Sequence, residues 1–124
     1  MKNLAIVVII LFTLIFVACA TTVKDLKENP AGEIIFQTDK NYITVYRKST
    51  TYLRNRGNLK SDLYTNNKSG IAYIQQSSPG PFGIIWLAVE LKAKNQNSTF
   101  VHIYYAANTW QEQAYKLKKQ ITKN

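Results

Sequence analysis

The apolar residues at the start of the chain form one continuous block, whereas later apolar residues recur at regular intervals. The block covers residues 4–17, interrupted only by Thr13; Lys2 precedes it and small residues around Cys19 follow it. Fourteen residues make a helix of about 21 Å, which is shorter than the roughly 30 Å of hydrocarbon in a membrane. The pattern is typical of a secretory signal, predicted here over residues 1–18; a permanent membrane span is the alternative.

Five segments further along have the composition and alternation of strands: residues 33–37, 61–65, 71–75, 84–94 and 99–106. Stretches rich in Asn, Ser, Gly and Pro separate the last four of them, as expected for turns. In the longest segment, one face is predicted to be core and the other mostly solvated. The core face holds Ile85, Leu87, Val89, Leu91 and Ala93, and the solvated face holds Ile84, Trp86, Glu90, Lys92 and Lys94.

Two segments have helical spacing. Tyr42, Tyr46, Ser49 and Leu53 predict a helix over Lys40–Arg56, with Thr38 or Asp39 as its cap and Gly57 as a left-handed residue beyond its end. Its β-branched residues also allow a strand over residues 42–46. Near the carboxyl end, Thr109 and Glu112 resemble a capping box, and an apolar stripe follows at Trp110, Ala114, Leu117 and Ile121.

These elements predict an α+β fold, in which two helices pack on an antiparallel sheet of four to five strands in the order β-α-β-β-β-β-α. We expect a single small domain over residues 33–124. Residues 19–32 are polar, contain Pro30 and show no strong period, so they are predicted to be a tether. An extended stretch of about twelve residues reaches roughly 40 Å.

The segment Leu14-Ile15-Phe16-Val17-Ala18-Cys19 resembles the lipobox of bacterial lipoproteins, although Phe16 replaces the usual Leu. The resemblance implies cleavage before Cys19, a diacylglycerol on its sulfur and an acylated amine, which together anchor a protein stably. Ala20 follows Cys19 where an Asp would be typical of inner-membrane retention. The resemblance is thus to small lipoproteins on the periplasmic face of the outer membrane, with the inner membrane as the alternative. The element order is also similar to helix-grip domains of such lipoproteins, but none of their motifs is visible.

Charge narrows the choice of partners. The formal net charge is +9, and from Lys40 onward 13 Lys or Arg face only three acidic residues, Asp62, Glu90 and Glu112. Basic domains often bind nucleic acid, but an exported protein rarely meets it, so we expect no nucleic-acid partner. The expected partners are the membrane itself, an envelope protein or anionic head groups. Scattered charge that only aids solubility is the alternative.

Reactive residues are sparse. Cys19 is the single cysteine and His102 the single histidine, so we expect no disulfide, no metal site and no cofactor. No spacing indicates a nucleophile beside a base, or a pair of catalytic carboxylates. We therefore expect a protein that is not an enzyme, with His102 in a structural or solvated position.

One feature indicates binding. Phe82 ends a Pro- and Gly-rich loop and precedes Trp86, while Tyr104 and Trp110 lie in the following elements. These four aromatic residues are candidate walls of a partner or ligand site, unless they are simply core. The sequence therefore favours a lipid-anchored, non-catalytic interaction or structural module of the cell envelope. The alternative is a module that binds a small apolar ligand in a groove between helix and sheet.

Overall fold

The computed structural model describes residues 22–77 and 83–124. These residues form three α-helices, five strands and one 3-10 turn. In chain order they are α1 (Val23–Glu28), β1 (Gly32–Thr38), α2 (Tyr42–Arg54), β2 (Leu59–Tyr64), β3 (Ser69–Ser77), β4 (Gly83–Asn95), β5 (Ser98–Tyr105), the 3-10 turn Asn108–Trp110 and α3 (Gln111–Thr122). The predicted α+β class and the order of its seven elements are confirmed, with α1 as an addition ahead of them.

All five strands lie in one sheet of order β1-β5-β4-β3-β2, and every neighbouring pair is antiparallel. Both long helices pack on one face of this sheet, and the core lies between the two layers. Its centre is closed to solvent, because Val45 and Leu53 of α2 and Ile103 of β5 are fully buried. Three positions of the predicted α3 stripe, Ala114, Leu117 and Ile121, are fully buried too, which confirms that stripe.

The start of α2 corrects one prediction. The cap is Asn41, and not Thr38 or Asp39, because its side chain accepts from the Ile43 N–H at 2.9 Å. The same amide donates to the Gln96 carbonyl at 2.8 Å, so one residue satisfies the helix end and holds the β4–β5 turn. Thr38 is instead the buried last residue of β1.

The ends of both long helices differ from the sequence pattern as well. Gly57 does not have the left-handed conformation that we predicted; it packs closely against Ile74, where a Cβ would lie 3.4 Å from the Ile74 side chain. The capping box at Thr109 is wrong, because the chain enters α3 through the 3-10 turn and no side chain caps the helix.

A β-bulge in β4 changes which side chains face the core. The register shifts so that Ile74 pairs with Leu87 while Gln75 pairs with Ile85, which leaves Trp86 as the extra residue. Leu87, Val89 and Leu91 keep the predicted core face. Ile85, predicted to share that face, packs in a second cluster on the other side of the sheet.

This second cluster exists because part of the predicted tether is a helix. Thr22 caps α1, and Leu26 of α1 is fully buried against Ile85, Ala88 and Tyr104. Residues 23–28 are therefore docked on the sheet and do not add to the reach of a flexible link. Six residues are too short for an isolated helix, so packing of Leu26 is what holds α1 in place.

Candidate functional site

The strand register arranges the face of the sheet away from α2 and α3 into parallel rows; we call this face the open face. Row one is Glu33, Tyr104, Ala88, Tyr73 and Lys60; row two is Ile35, His102, Glu90, Ile71 and Asp62; row three is Gln37, Phe100, Lys92, Ser69 and Tyr64. Helix α1 packs on row one. Rows two and three have no helix over them in the described part of the chain.

Rows two and three line a shallow trough of about 730 Å³. Its walls include large hydrophobic side chains that are unusually accessible: Ile35 is 71% exposed, and Tyr64 and Phe100 are each 48% exposed. Contiguous exposed apolar surface rimmed by polar residues marks interaction sites in soluble domains. The trough is therefore the first candidate surface.

A chain of polar side chains borders the trough where α1 begins to cover the sheet. Lys27 Nζ of α1 lies 3.0 Å from the Glu90 carboxylate, and the negative charge of Glu90 in turn acts on the Tyr104 hydroxyl. Tyr104 Oη is 2.9 Å from His102 Nδ1, and His102 Nε2 is 2.6 Å from the Glu33 carboxylate. These side-chain contacts together link α1, β4, β5 and β1.

The surroundings of Tyr104 keep the proton on its hydroxyl. Burial raises the pKa of Tyr104 to about 12, with further contributions from the negative charge and hydrogen bond of Glu90 and the charge of Glu33. Its hydroxyl therefore stays protonated at neutral pH.

The opposite side of the molecule carries the excess charge. We call residues 40–56 and 111–123 the helical layer. They hold nine Lys or Arg and one acidic residue, Glu112. The rest of the described chain holds six basic and six acidic residues and is electrically balanced. Folding therefore separates a strongly basic surface from a neutral one, and this makes the helical layer the second candidate surface.

The positive charges crowd at one end of the helical layer. Lys48 donates to the Lys123 carbonyl, and Lys40 donates to the Asn124 side chain at 3.1 Å. Partial desolvation and the positive charges of Lys40 and Lys123 lower the pKa of Lys48. An anion placed here would relieve this mutual repulsion.

The predicted aromatic site is only partly assembled. Trp86 and Trp110 stack with ring centroids 6.1 Å apart and planes 14° apart. Tyr104 lies on the other face of the sheet, where it stacks on His102 at 3.9 Å. The expected groove between α3 and the sheet is therefore not lined by these three residues, and the buried stripe of α3 fills the space beneath the helix. Phe82 and Cys19 lie outside the described residues.

His102 is partly buried and lies in row two of the open face. The sequence did not single out its partners Glu33, Glu90 and Lys27, since only the strand register and the docking of α1 bring them together. Within residues 22–77 and 83–124, no three His, Cys, Asp or Glu side chains are placed to hold a metal ion. No helix in those two ranges is long and apolar enough to cross a membrane.

Comparison with protein-family models gives no match, and comparison with curated proteins gives none either.

Proposed function

We propose that this chain is a lipid-anchored, non-catalytic interaction module of a bacterial cell envelope, held through Cys19 on the periplasmic face of the outer membrane. Its helical layer is the surface that binds an acidic envelope protein. The observation that carries this proposal is the segregation of charge, with nine basic residues and one acid on a single layer beside a neutral remainder.

The docking of α1 supports a partner other than the anchoring membrane. Only three residue steps separate Cys19 from Thr22, where the described chain begins, and they span at most about 10 Å. Helix α1 lies on the open face, whereas the helical layer lies across the sheet, about 20 Å away for layers spaced at roughly 10 Å. This distance exceeds the Debye length of about 8 Å at physiological salt. If the anchor lies ahead of α1, the helical layer is too far from the membrane surface to be attracted to it, and it is free to bind another partner.

The test is photo-crosslinking in intact cells, with a photoreactive amino acid replacing Tyr115 of the full chain. Tyr115 projects from α3 and is 54% exposed; Tyr64, at 48%, is the matched position on the open face. We expect Tyr115 to crosslink an acidic envelope protein that position 64 does not reach. The yield should fall when Lys48→Gln and Lys119→Gln remove two charges, and it should persist in the equally charged control Lys24→Gln with Lys60→Gln.

Three results would contradict the proposal: no adduct at position 115, an adduct to lipid only, or equal loss of crosslinking in both charge variants. The second result would favour anionic head groups as the partner. The third would mean that total charge matters and the helical layer does not.

A further inference from the structure

Rows two and three of the open face have the composition of an interface, and no helix of the described chain covers them. Ile35, Tyr64 and Phe100 all lie on rows two and three, with Ile35 and Tyr64 on the two edge strands, and each is about half exposed or more. The other large hydrophobic side chains exposed among the described residues, Ile43 and Tyr115, lie apart from them on the helices. Exposed apolar side chains in the described chain are therefore concentrated on the side of the molecule whose net charge is close to zero.

The charges on the two open rows have opposite signs. Row two carries the acids Glu90 and Asp62, while row three carries Lys92 and no acid. Glu90 and Lys92 are two positions apart on the same strand, so their side chains stand next to each other on one face. If a second copy is turned by 180° and laid on this surface, row two of each copy faces row three of the other, and opposite charges meet.

We propose that the open face binds the open face of a second copy of this chain, around a two-fold axis that crosses the strands between rows two and three. This rotation places Glu90 of each copy opposite Lys92 of the other and sets Phe100 opposite His102. The contact is isologous, so the Glu90–Lys92 pair occurs twice. The two sheets pack face to face, as in a β-sandwich.

The rest of the fold permits this arrangement. Helix α1 rises above row one only, and the sheet ends just beyond row three, at the turns of residues 65–68 and 96–97. The end of each sheet therefore lies beside α1 of the other copy. The basic helical layers point outward and are about 30 Å apart for layers spaced at roughly 10 Å, so their repulsion is screened.

The test is native mass spectrometry of the full chain extracted from bacterial membranes in a mild non-ionic detergent, which counts subunits directly. We expect two copies for the natural chain and for Ile43→Glu. Ile35→Glu, in row two on the edge strand β1, places a charge within the proposed contact and should raise the dissociation constant by about tenfold or more. Ile35 is 71% exposed, so the substitution costs no core contact, and far-UV circular dichroism verifies the fold.

A charge exchange tests the two-fold register itself. Lys92→Glu places acid against acid and should weaken association, and adding Glu90→Lys should restore it to within about threefold of the natural chain. Photo-crosslinking from position 64 should give an adduct of twice the chain mass.

Several results would overturn the proposal. These are a single copy for the natural chain, equal association of Ile35→Glu and Ile43→Glu, no recovery in the exchanged variant, or an adduct at position 64 with a different protein. The outcome is independent of the proposed function, because that function is tested from Tyr115 on the other side of the sheet.

Discussion

Replacing Tyr104 with Phe should make the stability of this domain less sensitive to high pH. Burial and the Glu90 carboxylate raise the pKa of Tyr104 to about 12 in the folded chain, against 10.0 for an ordinary tyrosine. Below pH 10 the hydroxyl is protonated in both folded and unfolded chains. Between pH 10 and 12 the unfolded chain loses this proton and the folded chain keeps it, so unfolding becomes easier.

The magnitude follows from the two pKa values. At one pH unit above the ordinary value, the natural chain should lose about 1.4 kcal/mol relative to Tyr104→Phe, because one pKa unit corresponds to that free energy. The measurement is urea unfolding of the full chain and the variant at pH 8 and pH 11, followed by tryptophan fluorescence. Other titrating groups are common to both proteins and cancel in the difference.

The matched control is Tyr115→Phe, which removes a hydroxyl from an exposed side chain on α3, away from Tyr104 and Glu90. If the stability difference between the natural chain and Tyr104→Phe is the same at pH 8 and pH 11, the assignment of Tyr104 as a buried tyrosine with a raised pKa is refuted. The same conclusion follows if Tyr115→Phe reproduces the pH effect.

Two substitutions test the elements that position the open face. Leu26→Ala empties the fully buried site under α1 and should cost about 2 to 3 kcal/mol in urea unfolding, with faster hydrogen exchange over residues 23–28. Ile35→Ala, at an exposed position, should cost less than about 0.5 kcal/mol, and equal costs would show that α1 is not held by Leu26. Asn41→Ala should cost about 1 kcal/mol through loss of the α2 cap. Thr109→Ala should cost less than half of that, and a larger loss would mean that Thr109 caps α3 after all.

The periodicity of the sequence predicted the elements because most of them are long enough for the pattern to repeat. The five strands and two long helices occur where apolar alternation or 3.6-residue spacing indicated them. Helix α1 was missed because a single buried residue, Leu26, gives no repeat. Its stability comes from tertiary packing, which local sequence does not encode.

The sides of the sheet were harder to assign than the strands themselves. Alternation is reliable only while the register is unbroken, and the bulge at Trp86 moves Ile85 to the face opposite Leu87. Tyr104 was grouped with Trp86 and Trp110 because all three are aromatic, yet its position in β5 puts it beside His102.

The contacts between polar side chains on the open face could not be predicted from the spacing of these residues in the sequence. Glu33 and His102 are 69 residues apart, and Lys27 and Glu90 are 63 residues apart. Pairing of β1 with β5 and docking of α1 create both contacts. The segregation of charge, in contrast, follows from the sequence once the two helices are known to share a layer.

The lipid anchor is the central claim, and intact-mass analysis of the membrane fraction of producing cells tests it most directly. The natural chain should be found as a mature form that begins at Cys19 and is heavier by a diacylglycerol and one further acyl group. The Cys19→Ser control should lack both the cleavage and the added mass. A natural chain that begins at Met1 with an unmodified Cys19 would contradict the claim.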